Sequence, residues 1–128
     1  MDSMTENEIS YKIRGAIFNV YNNLGPGLLE NAYEAAMKVE LEKAGCHVDT
    51  QVYLPMVYEG VTVKKAYRID ILVEKKVIVE LKAVSHMQDI FYKQLATYLK
   101  MTGLKLGILV NFETMDIASS IKRIANGL

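Results

Sequence analysis

A chain of 128 residues, 51% of them hydrophobic, has the size of one domain and enough apolar material for one continuous core. Its 15 basic and 15 acidic residues cancel, which excludes a global positive field for indiscriminate nucleic-acid binding, so any such contact has to be local. No apolar run approaches the roughly 20 residues of a membrane span, the polar stretch Met1 to Ser10 lacks a signal-peptide core, and the expectation is a cytoplasmic protein.

The lone cysteine, Cys46, rules out an intrachain disulfide. With only His47 and His86 beside it, a closed Cys/His zinc cage cannot be assembled, and Cys46-His47 reads as an ordinary loop or strand start. The lysine and arginine pairs Lys64-Lys65, Lys75-Lys76 and Lys122-Arg123 are candidate basic patches, of the kind that also keeps turns and helix ends soluble.

Thr5 and Glu8 have capping-box spacing, and Ile9, Ile13, Ala16, Ile17, Val20 and Leu24 recur at helical intervals, predicting a helix over 6–24. Gly25, Pro26 and Gly27 break it. A second helical stripe, Leu29, Ala32, Ala36 and Val39, runs to about Ala44, with Gly45 as its stop. From His47 the pattern turns to β: Val52, Leu54 and Met56 alternate with polar neighbours, Pro55 argues for an edge strand, and Glu59-Gly60 signals a turn. A short return strand over 61–63 follows, then two stronger runs, 66–73 and 77–83, separated by Glu74, Lys75 and Lys76 as a hairpin loop. Met87, Phe91, Leu95, Tyr98 and Leu99 predict a helix over 88–102, and Leu106 to Val110 a short strand. Thr114 or Asp116 then caps an expected last helix with the stripe Ile117, Ile121 and Ile124, closed by Asn126 and Gly127.

The hairpin carries the chemistry. Asp70 lies among Tyr67, Ile69, Ile71, Leu72 and Val73, while Glu80 and Lys82 interrupt Val77, Ile78, Val79 and Leu81. Strand alternation puts Glu80 and Lys82 on one face. A three-residue loop pairs Val73 with Val77 and sets Asp70 opposite Glu80, with Cβ atoms about 5 Å apart, whereas a simple two-residue loop sends Glu80 to the other face. Two facing carboxylates repel and are costly to desolvate, and a hard cation relieves both terms. Magnesium held by Asp70 and Glu80 would keep open positions for a phosphate oxygen and a water, with Lys82 able to orient that water or stabilise charge on phosphorus. The plainer alternatives are a buried Asp70–Lys82 salt bridge, or three charges on the solvated face of an antiparallel hairpin.

Two helices add candidates. Glu30 and Tyr33 are three apart and are expected to share a face, although an acid in a first turn is also favoured by the helix dipole alone. Gln94 and Tyr98, four apart, suit contacts to a phosphate or a base, and Tyr98 also fits the apolar stripe.

The order helix, hairpin with Asp then Glu-x-Lys, helix, strand resembles the PD-(D/E)XK nuclease superfamily, here as Ile69-Asp70 and Glu80-Leu81-Lys82, and Gln94-x-x-x-Tyr98 resembles the motif that follows the lysine in RecB-like nucleases. The run Gly27-Leu28-Leu29-Glu30-Asn31-Ala32-Tyr33 further resembles the signature of the GxxExxY family of small prokaryotic proteins within that superfamily. Likeness extends through Leu24 to Gly27, Val79 to Val84 and Ile121 to Ile124. The resemblance implies an α/β fold, a central mixed sheet flanked by helices in the manner of restriction endonucleases. It further implies Glu30, Asp70, Glu80, Lys82 and Gln94 as catalytic residues. Mg2+ or Mn2+ would lie on Asp70, Glu80 and the Leu81 backbone, with Glu30 as a further carboxylate, and Tyr33, Gln94 and Tyr98 are candidate substrate contacts. The Pro before the Asp is absent, Ile69 standing there, and the ligand is the carboxylate.

The expected function is metal-dependent hydrolysis of DNA phosphodiester bonds, with a homodimer helping so small a domain to engage a duplex. A silent nucleic-acid-binding or protein-interaction module and a hydrolase of small phosphoesters are the competing readings.

Overall fold

The computed structural model describes residues 3–128. Helix α1 (Glu6–Leu24) opens on the expected capping box, Thr5 Oγ1 accepting from the Glu8 N–H while the Glu8 carboxylate accepts from the Thr5 N–H. Its stripe from Ile9 to Val20 is buried. Helix α2 (Glu30–Lys43) buries a different face from the expected one: Tyr33, Met37 and Leu41 face the core, while Leu29, Ala32 and Val39 are exposed. Spacing alone offered two apolar stripes about 100° apart. The longer side chains, which remove more apolar area from water, face inward.

Five strands follow: β1 (Val48–Tyr58), β2 (Val61–Val73), β3 (Val77–Lys82), β4 (Leu106–Asn111) and β5 (Lys122–Ala125), in the order β1-β2-β3-β4-β5. Only β3 and β4 are parallel, joined through helix α3 (Asp89–Thr102), so the sheet is mixed. One face of the sheet packs on α1 and α2 through Ile71, Val73, Val77, Val79, Ile108 and Val110. The other carries Ile69, Ile78 and Leu109 against Leu95, Tyr98 and Leu99 of α3. Central β3 is apolar toward both layers, except at Glu80 and Lys82.

Gly107 sets the height of α3 above the sheet. A Cβ at this position would lie 2.8 Å from Leu95 Cδ1, so the helix rests directly on the β4 backbone. At the far end of α3, Gly103 takes the left-handed conformation (φ 73) that ends the helix.

Three expectations are corrected. The return strand does not stop at residue 63; β2 is continuous over 13 residues and forms with β1 a long ribbon, irregular at Pro55 on the sheet edge. The exposed part of this ribbon pairs with no other strand, since β2 meets β3 only through Ile71, Leu72 and Val73. The last helix is a single turn, α4 (Ile117–Ser120), capped by Asp116, and the chain then becomes edge strand β5 paired with β4. Ile117 and Ile121 join the α1/α2 core whereas Ile124 joins the α3 core. A helical stripe would have put all three on one side of the sheet.

Candidate active site

The loop between β2 and β3 decides the register. Glu74 and Lys75 both take left-handed φ (53 and 55), the Lys76 N–H closes the turn onto the Val73 carbonyl at 3.0 Å, and Val73 then pairs with Val77 rather than with Lys76. The additional residue, Lys76, makes the loop odd in length. Positive φ is costly for two non-glycine residues, and the turn is anchored from outside: the Glu74 N–H donates to the His47 carbonyl, the Glu74 carboxylate accepts from the His47 N–H, and Lys76 Nζ donates to the Met4 carbonyl.

One step past Ile71–Val79 the backbone ladder ends and side chains replace it. The Asp70 N–H donates to Glu80 Oε2 at 2.8 Å, and the Leu81 N–H donates to Asp70 Oδ2 at 2.9 Å. Each carboxylate commits one oxygen to the opposite strand and keeps the other free. Beyond this point β2 stays with β1 and β3 stays with β4, so the sheet forks. Facing also reverses here: Ile71 packs in the α1/α2 core and Ile69, of the same strand parity, in the α3 core, while Gln51 on β1 takes a left-handed φ of 54 at the matching position.

The fork holds a cleft of about 400 Å³ whose wall includes Glu30, Asp70, Glu80, Lys82, Gln94 and Tyr98. Six sequence candidates from four elements therefore meet in one place. Glu80 is only 5% exposed, so the solvated-face alternative does not describe it. Burial, reinforced by the neighbouring Asp70 charge, pushes its pKa up to about 8 against the opposing pull of the Asp70 N–H and Lys82. Nor does a salt bridge join Asp70 to Lys82 among the described residues. The cation nearest Asp70 Oδ1 is Arg68 at 4.0 Å, and Lys82 Nζ lies 4.4 Å over the Phe91 ring, which steadies the amino group beside the cleft. Tyr98 is buried and lines the cleft at once. Burial, reinforced by the neighbouring Glu80 charge, raises the pKa of its hydroxyl.

Tyr33 requires a correction. It is fully buried, stacked on Phe112 with ring centroids 4.3 Å apart, and its hydroxyl donates to the Gly25 carbonyl (2.7 Å) and accepts from the Leu28 N–H (3.1 Å). It cannot touch a substrate. The three signature residues thus divide their work: Gly27, at φ 103, turns the chain and donates its N–H to Glu113, Glu30 reaches the cleft, and Tyr33 clamps the turn to the core.

The donor set fits a hard divalent ion. Magnesium needs only one or two carboxylates with waters completing its shell, and two facing carboxylates, one with a raised proton affinity, have unmet need of a cation. Among the described residues no three His, Cys, Asp or Glu side chains gather to hold an ion together, so Glu30 lines the cleft without forming one cluster with Asp70 and Glu80. Cys46 is buried and His47 pairs with Asp49 at 3.1 Å.

Sequence reasoning passed over Tyr53 and Arg68, which also line this cleft beside Lys65 of the expected basic pair, and Glu34 with Gln51, hydrogen-bonded in an adjoining hollow. The signal available for Arg68 was its place two residues before Asp70 on the same strand.

The model of one nuclease superfamily, PD-(D/E)XK, matches residues 7–124, nearly the whole length of the chain. The protein belongs to the PD-(D/E)XK nuclease superfamily. Nucleases of this superfamily generally use divalent metals and act on nucleic acid. The fold agrees with that of a solved structure described as "Crystal structure of SSO0001", at a TM-score of 0.58 and 22% identity. The alignment covers 77% of this chain and 51% of the other, so this PD-(D/E)XK protein spans about half the length of that relative. A search of curated proteins gives no match. No helix among the described residues is long and apolar enough to cross a membrane.

Proposed function

We propose that the protein is a metal-dependent deoxyribonuclease of the GxxExxY group, hydrolysing phosphodiester bonds in the forked cleft. The observation that carries this reading is the opposed pair of Asp70, half-buried, and Glu80, buried, sharing a cleft with Lys82 and each keeping one oxygen outside the hydrogen bonds that join the strands. Asp70, Glu80 and the Leu81 carbonyl are the residues to hold Mg2+ or Mn2+. When bound, the ion neutralises the pair, polarises a phosphoryl oxygen and acidifies water.

The chain's own groups do the rest. Lys82, held on the Phe91 ring, donates toward the phosphoryl oxygens as negative charge builds there, or orients the water whose oxygen attacks phosphorus. One P–O ester bond breaks as the new one forms. Glu30, on the cleft wall, accepts a hydrogen bond from the attacking water, and Gln94 on α3 holds a non-bridging oxygen.

The test is cleavage of single- and double-stranded DNA and of RNA with Mg2+ or Mn2+, beside a calorimetric metal titration. Cleavage of DNA that disappears in Lys82→Ala and Asp70→Asn, with both variants still folded, supports the reading. No cleavage of any polymer and no heat of metal binding overturns it. A second reading has its own observation: both carboxylates accept backbone N–H groups across the fork, so the pair also serves as a structural stitch. A double variant, Asp70→Asn with Glu80→Gln, that melts higher and loses no function would favour a silent binding module.

A further inference from the structure

Of the basic pairs in the chain, Arg123 is engaged by Ser10 and Asn7 of α1, and Lys76 by Ser3 and Met4. Lys65 is different. It stands on the β1–β2 ribbon, exposed, with Nζ 4.7 Å over the ring of Tyr53, and both residues line the forked cleft. Tyr53 is cross-strand partner to Arg68, and Arg68 is the cation nearest Asp70. The ribbon therefore presents, on the wall of the cleft that holds the carboxylates, a cation, a half-exposed aromatic ring and a guanidinium.

This arrangement separates charge by depth. The floor of the cleft is acidic and shielded, Asp70 and Glu80, while the rim is cationic and solvated, Lys65 and Arg68, with the Tyr53 ring 45% exposed beside them. Phosphates match the rim, where a planar guanidinium engages two oxygens. An aromatic face beside phosphate-binding cations matches a nucleobase, because every base offers a π-face to stack and the rings of a duplex are already stacked on one another. The lysine sits over one face of Tyr53, and the ring as a whole stays 45% exposed.

We infer that the β1–β2 ribbon carries a strand-binding subsite. The base of an unpaired nucleotide stacks on Tyr53, while Lys65 and Arg68 hold the phosphates that flank it. The inference deepens the nuclease reading and rests on it in one respect, that a nucleic-acid strand enters the cleft. It makes the preferred substrate one with at least one unpaired nucleotide beside the bond at the carboxylates.

The experiment is fluorescence anisotropy of the full chain in EDTA, so that no cleavage intervenes, with fluorescein-labelled oligodeoxythymidine and a blunt DNA hairpin as probes. Stacking of one base predicts that Tyr53→Ala weakens oligodeoxythymidine binding by roughly 5- to 150-fold, that Tyr53→Phe binds as wild type, and that hairpin binding is unchanged by either. Lys65→Ala and Arg68→Ala each lower the salt dependence of oligodeoxythymidine binding by about one phosphate contact. Equal effects of Tyr53→Ala on both probes, no effect on either, or no measurable binding of oligodeoxythymidine overturns the subsite. The two readings fail separately. Tyr53-dependent binding without cleavage in Mg2+ removes the nuclease reading and keeps the subsite; cleavage with Tyr53-independent binding does the reverse.

Discussion

Asp70 and Glu80 are bonded to each other's strands: the Asp70 N–H reaches Glu80 Oε2 at 2.8 Å, and the Asp70 carboxylate accepts from the residue after Glu80, Leu81, at 2.9 Å. The pair closes the hydrogen bonding of the sheet where the ladder stops, and it brings two acidic groups together in a place with little water. Several measurable properties trace to that compromise.

The first is a pH dependence with a definite sign. Glu80 titrates near 8 in the folded chain and near 4.5 when unfolded, so between these values the native state holds the extra proton, and stability falls as pH rises through the window. Metal-free protein is expected to melt at a higher temperature at pH 5.5 than at pH 8.5, with Mg2+ restoring part of the loss at the higher pH. In Glu80→Gln the difference between the two pH values shrinks. A wild-type melting curve indifferent to pH over this range would remove the argument.

Tyr33→Phe leaves the Gly25 carbonyl and the Leu28 N–H without their shared partner while keeping the stack on Phe112. The expected cost is about 1–2 kcal/mol, or a fall of about 4–7 °C in Tm. Because the turn leads into Glu30, activity per folded molecule falls by a smaller factor than in Glu30→Gln. Denaturant unfolding beside an assay under folding conditions separates the two effects. A wild-type midpoint in Tyr33→Phe would show that the clamp contributes nothing.

At Gly107 a methyl group meets Leu95 at 2.8 Å, and Leu95 is fully buried. Gly107→Ala should destabilise the chain by about 1–3 kcal/mol by overpacking. Pairing it with Leu95→Ala opens space for the new methyl, so the double variant is expected to lose less than the sum of the single ones. Additive losses in urea unfolding would mean that the two sites do not meet.

Gln94 is exposed on α3 and touches the cleft without entering the core. Gln94→Ala should therefore leave Tm within about 1 °C of wild type while cleavage slows by about tenfold or more, the loss appearing mainly in kcat if the amide holds the phosphoryl group in the transition state. A purely raised KM would reassign Gln94 to substrate binding alone.

Much of this architecture was legible in the chain because local signals agreed. The capping box at Thr5, the stripe from Ile9 to Val20 and the break at Gly25 each have one physical meaning, and the structure realises them. The odd-length loop was legible only as a condition, since two non-glycine residues at positive φ depend on contacts from His47 and Met4 that lie far away in sequence. Where apolar residues serve two layers, periodicity misled: Ile117, Ile121 and Ile124 have helical spacing, yet they belong to opposite faces of the sheet. Tyr33 misled in the other direction, because a tyrosine three residues from a cleft acid looks like a substrate contact until its hydroxyl is accounted for. Lys65 was legible only as half of a basic pair and Tyr53 gave no signal, their meeting depending on the pairing of β1 with β2 around the irregularity at Pro55.

The reversal of facing at Asp70 couples the two halves of the molecule. Its chain neighbours belong to different cores, Ile69 to the layer under α3 and Ile71 to the layer under α1 and α2. A displacement of either helical layer relative to the sheet therefore arrives at this one residue as a twist of its backbone, and the carboxylate turns with it. Repacking far from the cleft, on either side of the sheet, acts on the same lever.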